Sequence, residues 1–404
     1  MNESEKKKNV LITGAALSGN LGAVAMVCSI INFLKSQGYE DSQIGISSTR
    51  FNFDLEWQKK FAIKLFPHEG VLRKSLLYSF LTKFLGIKKT SKSFEAYLWS
   101  DIIIDIHGIN FCGKDNLISS SIIPGSIIII GKILGKKVVK FTQSYGPIDD
   151  PITSFFAKLT IPFADLVIAR EERSLNYLSN LKIKSHEMPI VDCAFNLPSE
   201  RFSLAHDLLN SSLMKVGICL SDTSREKNDS YKKDTISLII KLLERNDLHL
   251  IIFSHYQAPM SNQEKIALQD SSNDDIGLAK EIFNQIASDR LSIYTDFDSP
   301  MEVKGLVSEL DLLISSRYHA CIAGISQGVP TLPYMSWHHK YEHLIDAAGI
   351  PSEFSLSAND SENHYEMILE FMSNIETHKI NLKSNLPSMK ESSREAYQLL
   401  SEYI

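Results

Sequence analysis

The sequence has few cysteines, and none of them is spaced as a metal-binding or redox pair. The number is odd, and no two have the C-x-x-C spacing. Both observations argue against a disulfide framework and against a cysteine zinc site. The pattern predicts buried thiols in a reducing compartment. The five residues are Cys28, Cys112, Cys193, Cys219 and Cys321.

A long hydrophobic run is also absent. The most apolar stretch, Ile122 to Leu134, is interrupted by Pro124, Gly125 and Lys132, and it is shorter than the ~20 apolar residues that a spanning helix needs. The charged residues at the N-terminus are not followed by the apolar region of a signal peptide. We therefore expect a cytoplasmic protein.

One segment suggests a peripheral contact with the inner face of the membrane. Between Val71 and Lys89, arginine and lysine residues alternate with leucine and phenylalanine. This pattern fits a basic amphipathic helix on an acidic membrane. It also fits a helix that packs on the core and exposes a solvated basic face, and this second interpretation is favoured.

Excess positive charge is missing too. The chain has 42 basic and 48 acidic residues, a formal net charge of −6. Nucleic-acid binding usually needs a basic face, so we expect no nucleic-acid partner, although a local basic pocket for a small anion is compatible with this charge. The sequence contains no P-loop, GxGxxG, HExxH or GxSxG motif. The adjacent residues His338 and His339 have no other ligand at a suitable spacing, so no metal site is expected.

What the sequence does contain is a repeated alternation of short apolar strands and amphipathic helices. It begins at Asn9 and restarts at Val216. Such alternation predicts parallel sheets with crossover helices, and 404 residues suffice for about two domains. We expect an α/β protein of two doubly wound parallel-sheet domains facing a cleft. The expected boundaries are 1–200 and 201–380, followed by a C-terminal helix at 381–404. By analogy alone, we expect that helix to pack back across the domains.

Ligands of open parallel sheets bind beyond the carboxyl ends of the strands. In the expected first domain this rule selects four loops. Their candidate residues offer backbone close to a helix N-terminus, a titratable ring, neutral hydrogen-bonding groups and a guanidinium fork. Each also has a purely structural interpretation: a tight turn, a cap, or an arginine held by Asp165 or Glu171. The candidates are Asn20 and Gly22, His107, Gln143 and Ser144, and Arg170.

The strongest candidate loop follows the strand Asp311–Ile314 of the expected second domain. Ser315 and Ser316 are suitable caps, and Arg317 and His319 come in the first turn of the next helix. A cation, a titratable ring and backbone N–H groups therefore converge on one point. Lys340 follows the last strand and adds positive charge.

These elements together resemble the polysaccharide pyruvyltransferases over roughly Val10 to Ile350. The resemblance rests on motifs in a fixed order. They are the N-x-G loop at Asn20 and Gly22, the strand and loop 101–108, the Q-x-x-G-P element 143–147, the segment 164–174, Asp192, the S-R-Y-H-A element 316–320, G-V-P at 328–330 and Lys340. Two positions depart from the family pattern, at Ala23 after the first loop and at the loop that begins with His107.

The resemblance implies two Rossmann-like domains of the glycosyltransferase-B type, with the acceptor on the first and the donor on the second. It also implies transfer of a pyruvyl group from phosphoenolpyruvate to two hydroxyls of a sugar or glycan, which is in some cases lipid-linked, during synthesis of cell-surface polysaccharide. No cofactor is required. Arg317 and Arg170 would clamp the anion, and His319 would act as acid or phosphate ligand. His107 and Lys340 are secondary candidates, and Asn20, Gly22, Gln143, Ser144 and Ser316 would contact substrate.

Other functions are compatible with the same residues. An arginine at a helix N-terminus binds a diphosphate as well, so a nucleotide-sugar glycosyltransferase is the main alternative, and a nucleotide-sugar epimerase is another. The departures at Ala23 and His107 favour a third interpretation, a non-catalytic member of the family that binds glycans.

Overall fold

The computed structural model describes residues 7–68, 73–86, 90–113, 116–205, 208, 211–228, 230–257, 274–336 and 339–404. The chain divides into two compact units. The first comprises the chain up to Ser18, Met26–Cys193 and Ser392–Ile404, and the second comprises Gly19–Ala25 and Ala194–Glu391. These boundaries differ from the single cut expected at residue 200 and from the return at 381. Alternation of strands and helices locates the main transition, but it cannot detect a short segment that pairs with a distant strand.

The first unit is built on a parallel sheet of seven strands, in the order β4–β3–β1–β5–β7 with β8 beside β7. A short strand, β6, continues along β7 beyond the end of β5. The strands are β1 (Val10–Thr13), β3 (Ile44–Ser48), β4 (Lys64–Pro67), β5 (Ile102–Asp105), β6 (Ile109–Asn110), β7 (Lys137–Tyr145) and β8 (Leu166–Ala169).

Helices connect these strands. The first begins in the segment Gly19–Ala25 of the second unit and continues into the first. The helices are α1 (Leu21–Ser36), α2 (Phe51–Phe61), α3 (Arg73–Leu85), α4 (Lys92–Trp99), α5 (Ile123–Ile133), α6 (Pro151–Thr160) and α7 (Glu172–Asn180), with a π-helical turn at Ile118–Ile122 and 3₁₀ turns at Asp41–Gln43 and Ile161–Phe163.

The second unit contains a parallel sheet of six strands in the order β12–β10–β9–β13–β14–β15, and a separate antiparallel pair of β2 with β11. The strands are β2 (Gly19–Asn20), β9 (Met214–Cys219), β10 (Leu248–Phe253), β11 (Tyr256–Gln257), β12 (Leu291–Tyr294), β13 (Leu312–Ser315), β14 (Thr331–Ser336) and β15 (Leu356–Ser357).

Its helices follow the same alternation, and the last of them extends into the first unit from Ser392 onward. They are α8 (Asp222–Lys227), α9 (Tyr231–Leu243), α10 (Asp275–Phe283), α11 (Pro300–Ser308), α12 (Tyr318–Ser326), α13 (Lys340–Ala347), α14 (His364–Ser373) and α15 (Ile375–Ser401), with 3₁₀ turns at Cys193–Asn196, Ser352–Phe354 and Ala358–Asn363.

The central strands are apolar on both faces because helices cover both. Ile102, Ile103 and Ile104 of β5 are fully buried, and so are Leu312 and Leu313 of β13. Continuous apolar runs of this kind are typical of parallel sheets. The expected α/β class with two parallel-sheet units is therefore confirmed.

Two expectations about the ends of elements are wrong. Gln143 and Ser144 lie inside β7 and not in a loop, because β7 continues to Tyr145 and pairs with β6. The last helix begins at Ile375, not near residue 381. Of the helices in the described ranges, none is long and apolar enough to cross a bilayer.

Candidate active site

In the second unit, Arg317 is fixed by a buried carboxylate. It is the residue before α12, and its Nε and Nη2 atoms donate to Oδ2 and Oδ1 of Asp275 at 2.8 and 2.5 Å. Burial alone would lower the pKa of the guanidinium, but the Asp275 carboxylate raises it above its usual range. The Arg317 side chain keeps 14 % of its surface exposed. This arrangement gives a permanently charged fork in one orientation at the start of a helix.

Asp275 is held in turn by the chain around it. Its Oδ1 also accepts the backbone N–H of Asp222 at 2.9 Å, and Oδ2 of Asp222 accepts the N–H of Asp274 at 3.0 Å. Asp222 follows β9 and Asp275 opens α10, so both lie beyond the carboxyl ends of central strands. The reciprocal bonds tie these two loops together and fix the plane of the Arg317 fork.

His319 lies directly on the glycine of the N-x-G loop. A Cβ atom placed on Gly22 would be 2.5 Å from Cβ of His319 and closer still to the ring atoms Cγ and Nδ1. Only glycine leaves room for the imidazole at this point. Gly22 and His319 are both sequence-predicted site residues, and the structure brings them together.

The N-x-G loop therefore belongs to the second unit, and its expected place in the first domain is wrong. Gly19 and Asn20 pair with β11, and the N–H of Leu21 donates to the carbonyl of His255 at 3.1 Å. The side chain of Asn20 accepts the N–H of Gly22 at 3.0 Å, which caps the start of α1. The loop is anchored by backbone pairing that hydrophobic patterns do not reveal.

A buried histidine supports this cluster. His255 is 3 % exposed, and burial, followed by the nearby charges of His319 and Arg317, lowers its pKa to about 3. Its ring is therefore neutral at neutral pH. The centroid of the ring of the next residue, Tyr256, lies 5.6 Å from Cζ of Arg317. This cation–π contact further stabilises the position of the Arg317 guanidinium.

Ser316 and Lys340 surround the start of α12. The hydroxyl of Ser316 lies 2.7 Å from that of Tyr231, and its carbonyl accepts a bond from the hydroxyl of Tyr341 at 2.9 Å. The Lys340 ammonium lies 4.7 Å from the centre of the Tyr318 ring. Ser316 is thus buried and structural, whereas Lys340 brings a second cation to this helix.

The first unit holds a second cluster, at the end of β5. Asp105 is fully buried, bonds the ammonium of buried Lys140 and accepts Nδ1 of His107 at 2.5 Å. Burial alone would raise the pKa of Asp105, but Lys140 and His107 hold it well below its usual range. The His107 side chain is 23 % exposed. In the tautomer that donates Nδ1–H to Asp105, the ring presents the lone pair of Nε2, which is the arrangement that a general base uses.

Gly14 fits closely under this histidine. It has φ +88°, and an added Cβ would lie 2.5 Å from Nδ1 of His107 and 2.7 Å from Oδ1 of Asp105. The glycine that ends β1 is therefore required both by its backbone conformation and by the close approach of His107.

The other predicted residues of this unit form a buried network. Arg170 is 2 % exposed, donates Nη1 to Asp192 at 2.5 Å and Nη2 to Ser144 at 2.8 Å, and also bonds the Gly108 carbonyl. Gln143 donates to the carbonyl of Asp105 at 2.6 Å. Asp192 is thus a carboxylate partner of Arg170, whereas Asp165 pairs with Lys132. Arg170, Gln143 and Ser144 are thus buried, and Arg170 and Gln143 bond the backbone at Gly108 and Asp105, on either side of the loop 106–108.

Sequence reasoning missed the acidic partners. Asp275 and Asp222 stabilise Arg317, and Asp105 with Lys140 holds His107, yet none was named as a site residue. A signal was present for two of them: Asp105 ends β5 and Asp222 comes shortly after β9, at sheet edges where a ligand site is expected. Among the described residues, no three histidine, cysteine or acidic side chains cluster as metal ligands; His338 lies outside those residues.

Comparison with known proteins identifies the family of the chain. The family model described as polysaccharide pyruvyl transferase matches residues 20–339. That range contains both clusters except for Gly14 and Lys340. The sequence matches no curated protein at a significant level.

Solved structures share the fold. A UDP-GlcNAc 2-epimerase from Neisseria meningitidis, bound to UDP-GlcNAc, is 11 % identical over 98 % of this chain and 100 % of its own, with a TM-score of 0.56. The S. aureus MnaA structure with UDP is 11 % identical over 93 % of this chain and 91 % of its own, at 0.57. A spinosyn rhamnosyltransferase with its aglycone is 13 % identical over 97 % and 99 %, at 0.54. At these identities the likeness concerns the glycosyltransferase-B fold alone.

Proposed function

The chain belongs to the polysaccharide pyruvyl transferase family and is a transferase, and we propose that it moves a pyruvyl group from phosphoenolpyruvate to two hydroxyls of a sugar or glycan. The product is a cyclic ketal and the leaving group is phosphate. The donor, the acceptor and the residue roles are our inference.

The observation that carries the proposal is the seating of His319 on Gly22 beside the fixed Arg317 fork. Phosphoenolpyruvate is small and carries a carboxylate and a phosphate. Its recognition needs cations and free N–H groups at short range. The start of α12 offers the Arg317 guanidinium, the nearby Lys340 ammonium and the first-turn N–H groups, next to a titratable ring.

The reaction balances without a redox partner. An acid protonates the methylene carbon of phosphoenolpyruvate, and a sugar hydroxyl adds to C2 as a base removes the hydroxyl proton. The bond between C2 and the phosphate oxygen then breaks. The second hydroxyl closes the ketal on C2, and its proton leaves with the phosphate or a base. Neither a metal nor an organic cofactor takes part in this scheme.

We assign the two histidines to the two proton transfers. His319, beside Arg317, is the acid or the phosphate ligand on the donor, which we place on the second unit. His107, held by Asp105, is the base for the acceptor hydroxyl, which we place on the first unit. Arg170, Gln143 and Ser144 act as positioning residues for the loop that carries His107, because all three are buried in its network.

The test is calorimetric titration of the full chain with phosphoenolpyruvate and with a panel of UDP- and dTDP-sugars. We expect phosphoenolpyruvate to bind and Arg317→Ala to abolish the binding. Arg245→Ala is the matched control, because Arg245 forms the same two-bond pair with Asp247 on the surface of the same unit. It should bind as the wild type does.

Binding of a nucleotide sugar in place of phosphoenolpyruvate would overturn the donor assignment and favour a glycosyltransferase. Phosphoenolpyruvate binding without phosphate release, over a panel of glycan acceptors, would instead favour a non-catalytic member of the family. Release of phosphate that depends on acceptor and is lost in His107→Ala and His319→Ala would support the complete scheme.

A further inference from the structure

Exposed large apolar side chains are concentrated on one part of the first unit. Of the fourteen in the described residues, nine lie on α3, the π-helical turn and the α6 region. We call these nine the apolar face. They are Leu77, Phe80, Phe84, Leu85, Ile118, Ile152, Phe155, Leu159 and Phe163.

Helix α3 has apolar residues on two opposite sides, one packed on the core and one exposed. Leu76 and Tyr78 pack on the core, and Ser75 and Ser79 are buried. On the other side Phe80 and Phe84 are 50 % and 62 % exposed, and the centroids of their rings lie 4.6 Å apart. Two phenylalanines one turn apart therefore form an apolar ridge that this unit does not cover.

Helix α6 likewise has one buried side and one exposed apolar side. Thr153, Ala157 and Thr160 face the core and are buried. Ile152, Phe155 and Leu159 repeat at helical spacing and are 55 %, 60 % and 49 % exposed. A second apolar ridge thus runs along this helix.

Both ridges lie on helices that pack on α5. Helices α3 and α6 each contact α5, whose residues Ile127, Ile128 and Ile130 are fully buried. The π-helical turn with Ile118 also contacts α6.

The charge of these helices has one sign. Lys74 and Lys83 on α3 and Lys158 on α6 are exposed, and neither helix contains an acidic residue. The whole chain, in contrast, has a net charge of −6. Two further lysines, Lys88 and Lys89, follow α3 in the sequence.

We propose that the apolar face docks on the surface of an anionic lipid bilayer, with the phenylalanines and leucines at the level of the acyl chains and the lysines at the phosphate groups. Lysine among phenylalanine and leucine is the composition of interfacial helices. Lysine is instead depleted at protein–protein interfaces, and an acidic chain gains nothing electrostatically from pairing with its own copy. The proposal does not depend on the donor or the reaction.

The test is co-sedimentation of the full chain with vesicles of phosphatidylcholine alone and of phosphatidylcholine with ~30 % phosphatidylglycerol, at low and at physiological salt. We expect binding to the anionic vesicles that weakens with salt. The double variant Phe80→Ser/Phe84→Ser and the single variant Phe155→Ser should each lower the partition coefficient about tenfold or more. Each removes aromatic surface that the bilayer would otherwise bury. Lys74→Glu/Lys83→Glu/Lys158→Glu should abolish it.

Matched controls come from the second unit. Ile240→Ser and Ile380→Ser remove equally exposed apolar side chains, 46 % and 68 % exposed, and Lys241→Glu reverses an exposed lysine. All three should bind vesicles as the wild type does. Circular dichroism will show whether the variants stay folded.

Three results would overturn the proposal: no vesicle binding by the wild type, equal binding to neutral and anionic vesicles, or no effect of Phe155→Ser and of the lysine substitutions. Light scattering distinguishes a second copy of the chain from a membrane as the partner of the apolar face. A dimer that Phe80→Ser/Phe84→Ser dissociates would show that a second copy covers the face.

Discussion

The side chain of His319 packs directly against the Cα atom of Gly22, although the two residues lie almost 300 positions apart in the sequence. An added Cβ would be 2.5 Å from Cβ of His319, too close for either residue to keep its position. The contact lies at the base of the histidine side chain and not at a flexible end, so rotation of the ring does not relieve it. The glycine therefore determines where the candidate acid lies.

Gly22→Ala is expected to displace His319. We predict a loss of about 1–3 kcal/mol in the free energy of unfolding, as for overpacking of a core, and at least tenfold less phosphate release from phosphoenolpyruvate. Urea denaturation and an acceptor-dependent phosphate assay measure the two effects.

Gly108→Ala is the matched control for stability. Its added methyl group would meet no atom within 4 Å, so its free energy of unfolding should stay within about 0.5 kcal/mol of wild type. Equal stability of the two alanine variants would show that the Gly22–His319 contact relaxes without cost.

Arg317→Lys separates the charge of the cation from the geometry of its fork. Lysine keeps the positive charge but cannot bond both oxygens of Asp275 while presenting a second planar edge. We expect about tenfold weaker phosphoenolpyruvate binding by calorimetry, a loss of about 1.4 kcal/mol. Arg245→Lys, at the exposed pair with Asp247, should not change the affinity. Wild-type affinity in Arg317→Lys would mean that charge alone suffices.

The sequence was sufficient to predict the strands and the loops that follow them. The strand expected at Asp311–Ile314 is β13, at Leu312–Ser315, because a parallel strand covered on both faces must be apolar throughout. Arg317 and His319 were found by the same rule. Their position after β13 needed no knowledge of the tertiary structure.

The residues that surround those groups could not be predicted in this way. Asp275 lies 42 positions before Arg317, after a polar stretch that has no hydrophobic period, and only the folded chain brings them together. Asn20 and Gly22 were placed in the first domain because they follow β1. The antiparallel pairing of two residues with Tyr256 and Gln257 decides otherwise, and a pair this short leaves no sequence pattern.

The buried pair of Lys140 and Asp105 should be strongly coupled. Both side chains are fully buried, so loss of one partner leaves a charge uncompensated. Lys140→Met and Asp105→Asn should each cost about 3–5 kcal/mol of unfolding free energy, whereas the double variant should cost clearly less than their sum. Urea denaturation of the four proteins gives the coupling energy. Costs that add within about 0.5 kcal/mol would show that the two groups are energetically independent.

The stability of the protein should fall on mild acidification because of His255. Its pKa is about 3 in the folded chain and about 6.5 when unfolded. Between these values the unfolded state binds one more proton, so the free energy of unfolding decreases as the pH falls below about 6.5. From pH 7.5 to 5.0 this amounts to about 2 kcal/mol. His68, whose pKa burial lowers to about 4, acts in the same direction.

Urea denaturation at pH 7.5 and 5.0 measures this loss, and His255→Gln tests its origin. Glutamine has no proton to bind in this range, so the variant should lose about 2 kcal/mol less than wild type over the same interval, whatever its stability at pH 7.5. Asp105 does not obscure the result. Its folded pKa lies below the usual range, so its contribution is lost only as the pH falls below about 4. An unchanged pH slope in His255→Gln would mean that His255 gains its proton without unfolding.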